Sequence, residues 1–224
     1  MKIAVVYTAT TPELIAGIDE ELRNTMAGIT VEIASYQNAS ILQEARDKNG
    51  LTASCARKLL DLYEQGVDEG ADLILNVCSS VGRVAKLAKP LYELAGTAFV
   101  RIDEDMAFAA VKAGSRIGVV ATLPTTLNPT KELVQDCADA LGEKVLLVDA
   151  LAEGAFGLDQ NQFKQMLIDT GAKVRDKVDV LLFAQGSMAY AEKDVAEALG
   201  MPVFSSIRFG VRAVADRVRE MLGK

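Results

Sequence analysis

The sequence predicts an α/β protein of two pseudo-symmetric lobes, each a parallel sheet with helices on both faces, with a ligand cleft between the lobes. Two observations carry this. Short runs rich in Val, Ile and Leu alternate with longer amphipathic stretches along the whole chain, which is the rhythm of βαβ units. The opening of the chain also returns halfway along it. KIAVVYTATTPELI at 2–15 and RIGVVATLPTTLNPT at 116–130 both read basic–Ile–x–Val–Val, then small residues and threonines, then proline and a helical pattern. Each half has a later strand running into a polar turn, LILNVCSSVG at 73–82 and LLFAQGSMA at 181–189. All βα units share something of this look. Read as a duplication, the pattern puts the boundary near 103–115.

The expected strands are 2–7, 29–34, 73–77, 97–102, 116–120, 144–148, 178–183 and 202–204. Runs this short and continuous suit strands covered on both faces. Helices are expected between them. Ala53, Ala56, Leu59, Leu60, Tyr63 and Val67 recur at helical spacing over 51–69. The stretches 161–178, 195–199 and 207–222 repeat the pattern, the last through Val211, Val214, Val218 and Leu222.

Composition narrows the function. At 50% hydrophobic and 25% charged, 224 residues suffice for a core without disulfides or metals. A net charge of −7 argues against nucleic acid and anionic membrane as partners. Histidine is absent, which removes imidazole catalysis and imidazole metal ligands. Cys55, Cys78 and Cys137 are odd in number and scattered, with no metal-binding pair, and fit a reducing cytoplasm. The apolar run IAVV near the start is too short for a signal segment, and no run approaches the ~20 residues of a membrane span. Neither a dinucleotide-binding nor a P-loop glycine pattern follows a strand, so dinucleotides and P-loop chemistry have no support, and without His or a Cys pair no metal is expected.

Ligands of open α/β sheets bind beyond the carboxyl ends of the strands. Four turns qualify: Thr8-Ala9-Thr10-Thr11, Asn76-Val77-Cys78-Ser79-Ser80, Ala121-Thr122-Leu123-Pro124-Thr125-Thr126 and Gln185-Gly186-Ser187-Met188. Each leads towards a helix N-terminus, where free N–H groups and the helix dipole favour an anion. Ser and Thr at such places also serve as helix caps. Cys78, just past a strand and opening a helix, is the reactive-looking thiol, with a lowered pKa expected there. Cys55 and Cys137 lie on apolar helix faces and read as buried packing residues. The run Asp103-Glu104-Asp105, beside Arg101, reads as a helix cap.

NVCSSVG at 76–82, RIDEDMA at 101–107, IGVVATLPTT at 117–126 and LLFAQGSMA at 181–189 together resemble the aspartate/glutamate racemase superfamily, which also holds hydantoin racemases, maleate isomerases and arylmalonate decarboxylases. The resemblance implies lobes of 1–105 plus 207–224 and of 106–206, the last helix packing back on the first lobe. It implies cofactor-independent chemistry on a small carboxylic acid, in which two cysteines face the α-carbon from opposite sides. Cys78 matches the first of these. Gln185 stands at the second, where the family has cysteine, and an amide has no proton to exchange near neutral pH. The family's anion-binding hydroxyls match Thr8, Ser79 and Ser80 in the first lobe and Thr122, Thr125 and Thr126 in the second. Asn76, Gly186 and Ser187 complete the expected substrate contacts. The function so implied is an isomerase or racemase acting at the α-carbon or adjacent double bond of aspartate, glutamate or a related diacid through a Cys78 thiolate. A one-cysteine decarboxylase, a one-cysteine cis–trans isomerase and an inactive carboxylate-binding protein stand as alternatives. The expected assembly is a homodimer or higher homo-oligomer.

Overall fold

The computed structural model describes residues 1–8, 10–154 and 158–223. Ala9, within the first expected turn, lies outside them. The chain forms two compact units, 1–102 with 207–224, and 103–206.

In the first unit β1 (Lys2–Tyr7), β2 (Glu32–Gln37), β3 (Leu73–Asn76) and β4 (Ala98–Arg101) form a parallel sheet in the order β2-β1-β3-β4. Its helices are α1 (Pro12–Thr25), α2 (Ala39–Asp47), α3 (Ala53–Asp68), α4 (Gly82–Leu94) and the final α9 (Ser206–Met221). Side chains alternate across the sheet. Ala4, Val6, Ile74 and Phe99 meet Leu59 and Tyr63 of α3 and Ala85 of α4 on one face. Ile3, Val5, Tyr7, Leu73 and Leu75 meet Ile18 and Leu22 of α1 and Val211, Val214 and Val218 of α9 on the other. Burial on both faces explains why β1 and β3 read as unbroken apolar runs.

The second unit repeats the plan. Strands β5 (Arg116–Ala121), β6 (Leu146–Leu151), β7 (Val180–Phe183) and β8 (Val203–Phe204) lie parallel in the order β6-β5-β7-β8. Val120, Leu181 and Phe183 pack with Leu167 of α7 (Gln160–Ala172) and with Val195 and Leu199 of α8 (Glu192–Leu199). Helix α5 (Glu104–Ala113) lies against β7, and α6 (Pro124–Leu141) against β5. The repeat extends to single bonds. Lys2 N donates to Asp72 Oδ2 at 2.8 Å, and Arg116 N to Asp179 Oδ2 at 2.8 Å, at equivalent places in the two sheets.

Local chemistry sets the helix ends. Thr11 caps α1 by accepting from Leu14 N, with Pro12 in the first turn, and Thr52 caps α3 by accepting from Cys55 N. Asp159 and Gln162 form a reciprocal capping box on α7. Gly142 and Gly200 end α6 and α8 with φ of 71° and 62°, a left-handed conformation that favours glycine.

Several boundaries differ from the sequence reading. β2 begins at Glu32 rather than residue 29, and β6 runs over Leu146–Leu151 rather than 144–148. Both are edge strands, so their extent follows the partner: Lys2 pairs with Glu32, and Arg116 with Leu146. They are also covered incompletely, with Glu32, Gln37 and Leu146 exposed. Helix α7 stops at Ala172, short of 178, because the chain then turns through 175–177 and brings Val174 and Val178 into the core. Asp103 precedes α5, but its side chain makes no cap hydrogen bond, contrary to expectation. Cys55 and Cys137 form no disulfide and are buried, as apolar helix faces require. No helix among the described residues is long and apolar enough to cross a membrane.

Candidate active site

The two central strands of each sheet end side by side, and the polar turns follow them. The register Val6–Asn76 in the first sheet and Val120–Phe183 in the second makes Thr8 equivalent to Thr122 and Cys78 equivalent to Gln185. The strands part in the same way: Val77 N donates to Val6 O at 3.0 Å, and Ala184 N to Val120 O at 2.9 Å.

In the first unit Cys78 precedes a single 3-10 turn, Ser79–Val81, which runs directly into α4. The thiol is half-buried, and Ser79 and Ser80 are buried. Four donors act on its sulfur and favour the thiolate: the Thr8 hydroxyl, the Ser80 and Val81 N–H groups, and the Ser80 hydroxyl. Thr8 is fully buried, and its hydroxyl closes no hydrogen bond of ordinary geometry within the chain. It lies near enough to the Cys78 sulfur to act on it. Loss of water outweighs these donors and pushes the Cys78 thiol up. This corrects the expected lowering. The segment following Cys78 begins as one short 3-10 turn, and what its N–H groups contribute is smaller than the cost of desolvating a thiolate.

Asn76, expected as a substrate contact, has partners within the protein. Its Oδ1 accepts from Tyr63 Oη at 2.8 Å and its Nδ2 donates to Cys78 O at 3.2 Å. The amide thus fixes the path of the Cys78 turn from below. Arg101, next to Asn76 across the sheet and buried, lies under the first turn of α4. A Cβ on Gly82 would stand 2.5 Å from Arg101 Nη2, so the guanidinium packs directly against the glycine backbone. Sequence reasoning missed both supports. Tyr63 was legible only as part of an apolar helix face, and the signal for Arg101 was the glycine that follows the serine pair.

In the second unit Gln185 precedes the 3-10 segment Gly186–Ala191. Its Oε1 lies 2.8 Å from Thr122 N and 2.9 Å from Thr122 Oγ1, and its Nε2 lies 2.8 Å from the same hydroxyl. The side chain at the position equivalent to Cys78 is therefore held by the threonine equivalent to Thr8. Gly186 is half-buried, Ser187 is exposed, and Met188 is core. Leu123 stands at the N-cap of α6 and offers no side-chain cap. Thr125 Oγ1, in the first turn of α6, is buried with no hydrogen-bond partner, and Thr126 is buried beside it.

The turns differ in what they can do. Cys78 can take up and release a proton, whereas Gln185 offers only a fixed dipole. Among the described residues no group of three or more His, Cys, Asp or Glu side chains is placed to hold a metal ion.

Comparison with known proteins agrees with this plan. A search among curated proteins finds no match. Among solved structures, allantoin racemase from Klebsiella pneumoniae is 16% identical, with TM-score 0.69 over 100% of this chain and 89% of that one. Glutamate racemase from Bacillus anthracis is 12% identical, with TM-score 0.73 over 99% and 82%. Unliganded arylmalonate decarboxylase is 14% identical, with TM-score 0.58 over 97% and 92%. At these identities the likeness is one of fold. Sequence supplies the family: the model for Asp/Glu/Hydantoin racemase matches residues 3–214. With almost its whole length matched, and with both units built on the same doubled plan, the chain belongs to the Asp/Glu/hydantoin racemase family of isomerases.

Proposed function

We propose that the protein is a cofactor-independent enzyme that moves a proton at the α-carbon of a small carboxylic acid, using Cys78 alone, with the turns of both units serving one ligand. The observation that supports this is the equivalence of Cys78 and Gln185, only one of which can carry a proton. In this reading the Cys78 sulfur takes the α-proton as the C–H electron pair moves into the carboxylate, giving an enediolate. Return of the proton from sulfur restores the acid. Neutral donors hold the anion: the Thr8, Ser80 and Thr125 hydroxyls and the N–H groups at the turns. Losing one such donor typically costs about 3 kcal/mol of transition-state stabilisation. With a single thiol the proton returns to the face it left, so this step by itself exchanges the α-hydrogen with solvent at retained configuration, and net inversion requires a second proton carrier on the opposite face.

A second reading, decarboxylation of a malonate-type diacid, draws on the raised Cys78 pKa, because a resting thiol is already loaded with the proton that the carbanion needs. Here the bond to the departing carboxylate breaks, carbon dioxide leaves, the electron pair stays on the α-carbon, and the thiol proton closes the valence.

Incubation in heavy water with aspartate, glutamate, maleate and a disubstituted malonate separates the readings. The first predicts α-deuterium with retained configuration. The second predicts a singly deuterated monoacid from the malonate alone. Absence of exchange and turnover on every acid, with Cys78 alkylation slowed by those acids, would leave a binding protein. Gln185→Cys is expected to add racemisation to any exchange seen, and a short bifunctional thiol reagent should join the new thiol to Cys78. A folded variant showing neither would overturn the shared site.

The thiol also predicts a pH profile. Activity and Cys78 alkylation should rise with pH through an alkaline limb, since the protonated form is favoured at rest. Thr8 and Ser80 both lower the thiol's pKa, so Thr8→Val and Ser80→Ala are expected to move that limb to higher pH. Alkylation rate against pH measures it, and a limb that stays put or moves down would remove these hydroxyls from the thiol's surroundings.

A further inference from the structure

The two units build the same corner from different residues. Where the central strands of each sheet end, the register that pairs Val6 with Asn76 pairs Val120 with Phe183, so Asn76 and Phe183 are equivalent. Both are buried. Phe183 belongs to an apolar cluster with Leu167, Met188 and Val195. Asn76 is instead tied to Tyr63 of α3, itself buried and in edge-to-face contact with Tyr92 and Phe99. An apolar side chain therefore satisfies the fold at this corner, and the buried amide and phenol stand only in the unit whose turn carries a thiol. Burying such groups is unfavourable unless each finds a partner.

We propose that Tyr63 is a positioning residue for the Cys78 thiol, acting through Asn76; its catalytic sense rests on the reading of Cys78 as the proton carrier. The direction of each bond follows from what the groups can do. The Cys78 carbonyl can only accept, so it takes the Asn76 Nδ2 donor, at 3.2 Å. That turns Oδ1 towards Tyr63, whose hydroxyl must donate, at 2.8 Å. Without the hydroxyl, Oδ1 would be buried with its donor gone, which favours an amide swung away from the Cys78 carbonyl. That carbonyl opens the turn whose Ser80 and Val81 N–H groups act on the sulfur, so its orientation sets how those donors are aimed.

Tyr63→Phe tests this, because it keeps the ring and its contacts and removes only the hydroxyl. On the acid found by the heavy-water screen it should lower kcat for α-proton exchange about tenfold with KM little changed, since a misplacement of about 1 Å can cost ~10²-fold in rate. Iodoacetamide labelling at Cys78, followed by mass spectrometry, should slow at neutral pH, with its alkaline limb moved to higher pH as the donors lose their aim. The double variant Tyr63→Phe, Asn76→Leu separates positioning from support of the fold. With both polar partners replaced by apolar groups, the urea midpoint should return towards wild type, while kcat and the labelling limb stay displaced. Arg101, the charged neighbour of Asn76 across the sheet, is kept in both variants. Labelling needs no substrate, so its limb decides the proposal by itself, whereas full exchange in Cys78→Ser would sink only the proton-carrier reading. A limb that stays put in Tyr63→Phe, or one restored together with the midpoint in the double variant, would overturn the proposal.

Discussion

Cys78→Ser is expected to lower turnover by about 10²–10⁴-fold, the usual worth of a positioned acid or base, while leaving the fold intact. The serine hydroxyl keeps nearly the shape of the thiol and can still take hydrogen bonds from the Thr8, Ser80 and Val81 donors. Its proton is far less acidic, so neither abstraction nor return at the α-carbon proceeds near neutral pH. Stability should change little, because Cys78 is only half-buried and Ser is close in volume. The measurement is α-proton exchange on whichever acid the heavy-water screen identifies, read beside a thermal unfolding curve. Full activity in a stable Cys78→Ser protein would take the thiol out of the mechanism.

Gly210→Val is expected to cost about 3 kcal/mol or more of stability in the first unit, at the upper end of overpacking effects. A Cβ at Gly210 would stand 2.5 Å from Ile102 Cγ1, 2.6 Å from its Cα and 2.7 Å from its carbonyl oxygen. Two of these atoms are backbone at the end of β4 and cannot rotate away. Helix α9 would have to lift, drawing Val211, Val214 and Val218 out of contact with β1 and β3. Gly210→Ala meets the same three atoms, and its helix propensity gain of about 1 kcal/mol only partly offsets the clash. Urea unfolding should show both midpoints lowered, Val more than Ala. Unchanged midpoints would mean that α9 does not lie on Ile102.

The sequence by itself determined the class of fold and most of its punctuation. Strands buried on both faces, such as β1 and β3, announce themselves as unbroken apolar runs, and Thr11, in a turn read as a possible cap, caps α1. The duplication was legible because paired strands in the two halves must meet the same packing demands. The family resemblance set Gln185 at the second cysteine's position, and the two sheet registers make it equivalent to Cys78.

What only the tertiary structure decided has a common physical cause: it depends on partners distant in the chain. The edge strands β2 and β6 take their limits from β1 and β5, which no local pattern in 29–37 or 144–151 reveals. That Tyr63, thirteen residues away, donates to the Asn76 amide oxygen was not legible either. The Cys78 pKa turned on the balance between four donors and lost water, and only the folded surroundings set the size of each. The outward-facing line of Leu87, Leu91 and Leu94 on α4 has no counterpart in the sequence reading, where apolar residues at helical spacing mark only buried faces. That they face outwards follows from which side of α4 the sheet takes, a choice made by the sheet and not by the helix.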